Sequence, residues 1–205
     1  AVWAVLQAGG VFMPINPLTK ADKLAYMLND ARARLLLTQD TLAGVWQAAL
    51  AHNTSVDVAW VCGAGFAADQ AHAHTDARAQ AWPTTHDSTD ALLDAGLIDQ
   101  DLAAIIYTSG STGDPKGVML SHLNMVSACT SVSSYLGLGQ DDTVLCALPL
   151  AFDYGLYQLL MCARVGATLV LERGFTFPVK VLEVMVRERV TVFPGVPTMF
   201  SMLMS

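Results

Sequence analysis

The chain has 205 residues, enough for one large domain or two small ones. Hydrophobic residues make up 53% of it and charged residues 14%, which excludes an intrinsically disordered protein. The formal net charge is −7 with no Lys/Arg cluster, which argues against a nucleic-acid partner.

In chain order, residues 1–9 read as the end of a helix stopped by Gly9 and Gly10. Val11–Ile15 reads as a short strand ended by Pro14 and Pro17. Thr19 predicts the N-cap of a helix running to about Arg32, with Leu24, Met27 and Leu28 on one face. Leu35–Thr38 predicts a strand, residues 40–51 a helix, and Val56–Val61 another strand. Strand and helix in alternation predict an α/β fold with a mostly parallel sheet.

Between Gly63 and Asp101 the pattern fails. This segment is rich in Ala, Asp, His and Gln and reads as a variable surface linker with a short helix near residues 90–95. His72 and His74 within it read as solvated rather than metal-bound. The expected organisation is a first α/β segment (1–62), the linker (63–101) and a second α/β segment (102–205).

From Leu102 the alternation resumes. Ala103–Tyr107 predicts an apolar strand that runs into a Gly/Ser/Thr loop at 108–117, followed by a strand at 118–120. Ser121 predicts the cap of a helix reaching about Leu136. Strands are expected at 143–148, 168–171 and 190–193, and helices after Tyr154, at 178–188 and from about Pro197. Residues 117–140 carry no charge and are long enough to span a bilayer. Their eight polar residues, from Ser121 to Ser134, make a transmembrane segment unexpected. Cys62, Cys129, Cys146 and Cys162 form no CxxC pair and read as buried free thiols in a reducing, cytoplasmic compartment. Both ends fall inside apolar helical patterns, so the sequence reads as a piece of a longer protein.

The loop at 108–117 carries the chemistry. A triphosphate needs backbone N–H groups free of bulky side chains, and Gly110, Gly113 and Gly117 supply them. It needs short hydroxyl donors that can also face Mg²⁺, and Thr108, Ser109, Ser111 and Thr112 supply these. It needs a cation where charge builds up, and Lys116 supplies it. The spacing is not that of a Walker A loop, because Lys116 follows Pro115 and precedes Gly117.

The run Tyr107–Gly117 (YTSGSTGDPKG), followed by VML and Ser121–His122, resembles the phosphate-loop signature of the adenylate-forming superfamily. That group includes acyl-CoA synthetases, luciferases and the adenylation domains of nonribosomal peptide synthetases. Ala8–Pro17, Ala33–Thr38 and Gly195–Phe200 resemble further segments of the same family. The resemblance implies the large N-terminal domain of such an enzyme, without its C-terminal half and small lid domain. It implies that the loop holds the β- and γ-phosphates of ATP, that Thr108 faces Mg²⁺, and that Lys116 stabilises the leaving pyrophosphate. It also implies attack of a carboxylate on the α-phosphorus, with CoA or a phosphopantetheine thiol, the latter on an acyl-carrier protein, accepting the acyl group.

Phe152, Asp153, Tyr154 and Gly155 fall where the family lines its acid pocket. Acyl-CoA synthetases usually have His after the aromatic residue, and this chain has Asp153. In amino-acid-activating relatives an Asp there holds the substrate ammonium, while Asp is equally a favoured helix N-cap. The surrounding segments resemble acyl-CoA ligases more than peptide synthetases, which favours an acyl substrate. An amino-acid adenylation domain and a non-catalytic nucleotide-binding domain are the alternatives. The resemblance places the adenine and ribose sites, an acidic Mg²⁺ partner and a catalytic Lys beyond Ser205. These 205 residues alone are therefore expected to be inactive.

Overall fold

The computed structural model describes residues 1–53, 55–66, 76–83, 95–108 and 113–204. They divide into two compact units. The smaller comprises Pro17–Asp94 and Tyr107–Val118, the larger Ala1–Asn16, Ala95–Ile106 and Met119–Ser205.

In the smaller unit, β1 (Leu35–Gln39), β2 (Val58–Cys62) and β3 (Ala79–Ala81) form a parallel sheet in that order, with Leu37 opposite Trp60 and Trp60 opposite Gln80. Parallel neighbours need a crossover. Helix α3 (Ala43–Ala51), entered through a 3₁₀ turn at Asp40–Leu42, provides the one between β1 and β2. Its Trp46, Ala49 and Leu50 are buried, as are Leu24, Ala25, Met27 and Leu28 of the adjacent helix α2 (Ala21–Asp30). That i, i+3, i+4 spacing puts the apolar residues on one stripe.

The end of α3 is closed by a polar cluster. Arg78 donates to the carbonyls of Leu50 (2.6 Å) and Asn53 (3.1 Å), placing a cation where the helix dipole favours one. Asp76 accepts from the same guanidinium at 2.6 Å. The buried Asn53 amide accepts from the backbone N–H groups of Ser55 and Val56 and donates to Asn29 on α2.

In the larger unit, α1 (Val2–Gln7) leads to Phe12, which forms a single parallel bridge with Ala104. Strands β4 (Leu102–Thr108) and β5 (Lys116–Ser121) pair with one another, and each contributes residues to both units. Helix α4 (His122–Leu136) starts in a capping box. Ser121 Oγ accepts from the Asn124 backbone N–H, and Asn124 Oδ1 accepts from that of Ser121. Strands β6 (Thr143–Cys146) and β7 (Thr168–Leu171) are parallel, joined through α5 (Asp153–Val165). Helices α6 (Pro178–Arg187) and α7 (Pro197–Leu203) follow. One core gathers Phe12, Ala103, Ala104, Ile106, Met125, Cys129, Leu156, Leu160 and Met161. A second gathers Leu145, Ala147, Phe175, Val181, Val184 and Met199.

The mostly parallel α/β fold is as expected. Several boundaries differ. The strands expected at 11–15 and 190–193 reduce to one bridge each, at Phe12 and Val192, because Pro14 and Pro194 lack the N–H that a ladder requires. Lys20, not Thr19, caps α2. The segment 63–101 contains β3, too short to stand out from its Ala-rich surroundings. Residues 90–94 of the short helix expected there, with His72 and His74, lie outside the described residues. Cys129, Cys146 and Cys162 are buried, and burial raises their pKa values, that of Cys162 to about 11. Cys62 is exposed. Among the described residues, no helix is long and apolar enough to cross a membrane.

The Asp76 carboxyl is held below the ordinary carboxylate range, chiefly by the side-chain hydrogen bond from Arg78. A depressed folded-state pKa contributes stability that is present above the unfolded value and lost as pH falls through the folded one. Asp76→Asn should therefore cost about 1–2 kcal/mol at pH 7. It should also make the further loss of stability as pH falls below about 4 smaller than in the unsubstituted protein. Urea titrations across that range measure both.

Candidate functional site

The described residues of the loop at 108–117, Thr108 and 113–117, belong to the smaller unit. Thr108 is the last residue of β4 and Lys116 the first of β5, so the two strands present both ends of the loop. Both side chains are exposed. Thr108 Oγ1 donates to the Lys116 carbonyl at 3.5 Å, a long contact that leaves its oxygen available. Gly113 lies at φ +103°, a conformation side chains disfavour, with open space where a Cβ would point. Gly117 is half-buried. Among the described residues, no carboxylate lies within ion-pair distance of Lys116. Ser109, Gly110, Ser111 and Thr112 lie outside the described residues.

Helix α2 bonds to the residue that precedes this loop, a contact that the sequence pattern did not mark. Tyr107, immediately before Thr108, donates its hydroxyl to Asp30 Oδ2 at 2.5 Å, with the Met27 carbonyl at 3.4 Å. The Tyr107 pKa is raised, first by burial and then by the Asp30 hydrogen bond and charge, so the phenol stays protonated. Tyr26 is also raised, by desolvation and then by the charges of Asp30 and Asp114. Helix α2 is therefore joined to the entry side of the loop through the Tyr107–Asp30 hydrogen bond. A separation of 77 residues between Tyr107 and Asp30 leaves no local pattern from which to read their pairing.

Phe152, Asp153, Tyr154 and Gly155 belong to the larger unit, at the start of α5. Phe152 occupies the N-cap and Asp153 the first helical position, so Asp153 is not the cap itself. Its Oδ1 accepts from the Tyr154 backbone N–H at 2.7 Å. Its side chain is exposed, and Oδ2 has no hydrogen-bond partner among the described residues. A carboxylate in the first turn is also favoured by the helix dipole. Phe152 and Tyr154 are exposed, and Tyr154 donates to the Gly195 carbonyl at 3.5 Å.

Gly155 is different. It is buried, and a Cβ built there would lie 2.3 Å from the Pro149 carbonyl oxygen and 2.9 Å from that of Leu148. It lets the turn after β6 pack against the first turn of α5. His122 opens α4 and lines a cavity of about 410 Å³ with Trp3, Met125, Cys129, Leu160 and Arg164. Its Nε2 is buried without a partner among the described residues. Among the described residues, no three His, Cys, Asp or Glu side chains gather at metal-binding distance.

The sequence matches the AMP-binding family, described as AMP-binding enzyme, over residues 1–205. Gramicidin S synthase 2 of Brevibacillus brevis is 31% identical over 205 residues, covering 99% of this chain and 4% of that protein. Among solved structures, ATP-bound MatB from Rhodopseudomonas palustris is similar with a TM-score of 0.75 at 27% identity, over 98% of this chain and 37% of MatB. VinN in complex with 3-methylaspartate gives 0.70 at 29% identity, over 99% of this chain and 50% of VinN. The chain thus spans half or less of each of these proteins.

The close approach at Gly155 generates a stability prediction. Gly155→Ala gains helix propensity of about 1 kcal/mol, but its methyl meets fixed backbone oxygens rather than a movable side chain. Overpacking of this kind costs about 1–3 kcal/mol. The expected outcome is a net loss of stability in thermal or urea denaturation.

Proposed function

Because this chain belongs to the AMP-binding enzyme family, whose members are adenylate-forming ligases, we propose that it is part of an enzyme that activates an amino acid or a similar ammonium-bearing carboxylic acid with ATP. The observation that carries the substrate class is the exposed Asp153 carboxylate at the start of α5, with one oxygen unengaged among the described residues. A carboxylate so placed is a ready partner for a substrate ammonium. The similarity to gramicidin S synthase 2 and to VinN, solved with 3-methylaspartate, supports the same reading. It departs from the acyl substrate that the flanking segments favoured.

In the proposed reaction a substrate carboxylate oxygen attacks the α-phosphorus of ATP. The bond to the β,γ-pyrophosphate breaks, and an acyl-AMP forms. A thiol, on CoA or on the phosphopantetheine of a carrier protein, then attacks the acyl carbon and releases AMP. Lys116 is the cation assigned to the growing charge on pyrophosphate. Its ammonium suits that role because it is exposed and unpaired among the described residues. Mg²⁺ takes oxygen ligands and commonly keeps several waters and substrate phosphates. The loosely engaged Thr108 hydroxyl fits that habit and would be the protein's contribution. The ion would supply neutralisation of phosphate charge. The cytoplasm, where ATP is abundant and thiols stay reduced, is the matching compartment.

A second reading keeps an acyl substrate, fatty or otherwise, with CoA as acceptor. It is favoured by the hydrogen bond from the Tyr154 amide, which gives Asp153 a structural task at the helix start with no need of an ammonium.

Substrate-dependent ATP–pyrophosphate exchange on the full-length protein separates the two. Amino acids should support exchange and fatty acids should not. Asp153→Ala should raise the amino-acid KM about 10- to 100-fold, the worth of a hydrogen bond to a charged group. Robust exchange with fatty acids, unaffected by Asp153→Ala, favours the second reading. Lys116→Ala should slow adenylation about 10²- to 10³-fold with little change in melting temperature, and an unchanged rate removes Lys116 from the site. The 205 residues on their own should show no exchange.

A further inference from the structure

We propose that Asp30 is a positioning residue for the phosphate loop, acting through the Tyr107 hydroxyl. The inference rests on reading 108–117 as that loop and adds a residue outside the motif. Between Tyr107 and Gly117 every side chain is small, polar or charged. Such a segment has no apolar surface to bury, so its geometry must be imposed at its ends. At the entry end, the half-buried Tyr107 ring carries the only large side chain, and its hydroxyl ends on Asp30 Oδ2 at 2.5 Å.

Both partners lie in the same unit, so the hydrogen bond fastens the end of β4 to the last turn of α2 within one compact body. The raised Tyr107 pKa keeps the donor protonated throughout the neutral range. Asp30 is exposed, and among the described residues no Lys or Arg lies within ion-pair distance of it. A bare carboxylate beside a polyanion site repels the ligand. Its presence is accounted for when it holds the residue that precedes Thr108.

The test uses the full-length protein and three variants: Tyr107→Phe, which removes only the hydroxyl, Asp30→Ala, and Asp30→Asn, which keeps an acceptor oxygen. Tyr107→Phe and Asp30→Ala should each raise the KM for ATP about tenfold. The KM for the carboxylic acid should stay within about twofold, and the double variant should be no worse than either single one, because the two act as a unit. Asp30→Asn should recover most of the loss. Hydrogen exchange gives a readout that needs no activity. Amides of Gly113, Asp114, Lys116 and Gly117 should exchange several-fold faster in Tyr107→Phe, with those of α2 and β6 unchanged. Multiplicative effects of the two substitutions overturn the proposal, as do equal rises in both KM values or unchanged exchange in the loop. If the unsubstituted protein shows no pyrophosphate exchange with any acid, the ligase reading fails, and the hydrogen-exchange result alone decides the role of Asp30.

Discussion

A loop of glycines and hydroxyls buries nothing of its own, so everything such a loop does depends on what fixes its two ends. Here β4 and β5 do so. β4 enters the loop from a stretch in which Ala103, Ala104 and Ile106 are nearly inaccessible to solvent. Their burial is the kind of contribution that holds a strand in register, since the stabilisation scales with apolar area removed from water. The alanines also set how close neighbouring chain can come, and Phe12 pairs directly with Ala104. The strand then changes character within two residues. Tyr107 is half-buried and hydrogen-bonded, and Thr108 is exposed. Along β4 the chain thus passes from buried apolar residues to an exposed polar one within two positions.

Charge reinforces that division. The chain is acidic overall, with 11 Lys and Arg against 18 Asp and Glu. A cation tied up by a local carboxylate would offer little to an anionic ligand. Arg34, Arg78 and Arg187 are tied in this way, to Asp57, Asp76 and Glu188. Lys116 is not, among the described residues. In water an ammonium and a phosphate oxygen at 4 Å gain about 1 kcal/mol, and about four times that at the effective dielectric of a protein surface. For an exposed lysine, the gain from an anion therefore grows as solvent is excluded between them.

The long elements could be read in the sequence, because their signals are local. Ser121, expected to cap α4 from its type and place alone, does cap it. Leu24, Met27 and Leu28 do form the buried stripe of α2. What was not legible depended on chain far away or on the absence of a donor. Two apolar runs beside Pro14 and Pro194 have strand composition, yet each pairs at one residue only. β3 is three residues long and is recognisable only because it lies against β2. At the candidate site, the residue types of 108–117 pointed to phosphate chemistry without any structure. Asp30, which holds Tyr107, could not be found that way, since nothing in LNDAR distinguishes it from an ordinary surface carboxylate at a helix end.

The start of α5 shows how a backbone demand and a chemical one can share a few residues without conflict. Gly155 meets the backbone demand. The carbonyls of Pro149 and Leu148 occupy the space a side chain would need, so no other residue fits without displacing the turn. Once that turn is fixed, Phe152, Asp153 and Tyr154 are carried on a rigid helix start with their side chains exposed. Asp153 draws on the helix dipole and on the Tyr154 amide for its own stability, and still turns an oxygen outward. Gly155 thus sets the backbone at this helix start, and the three exposed side chains before it are free to vary without disturbing that backbone.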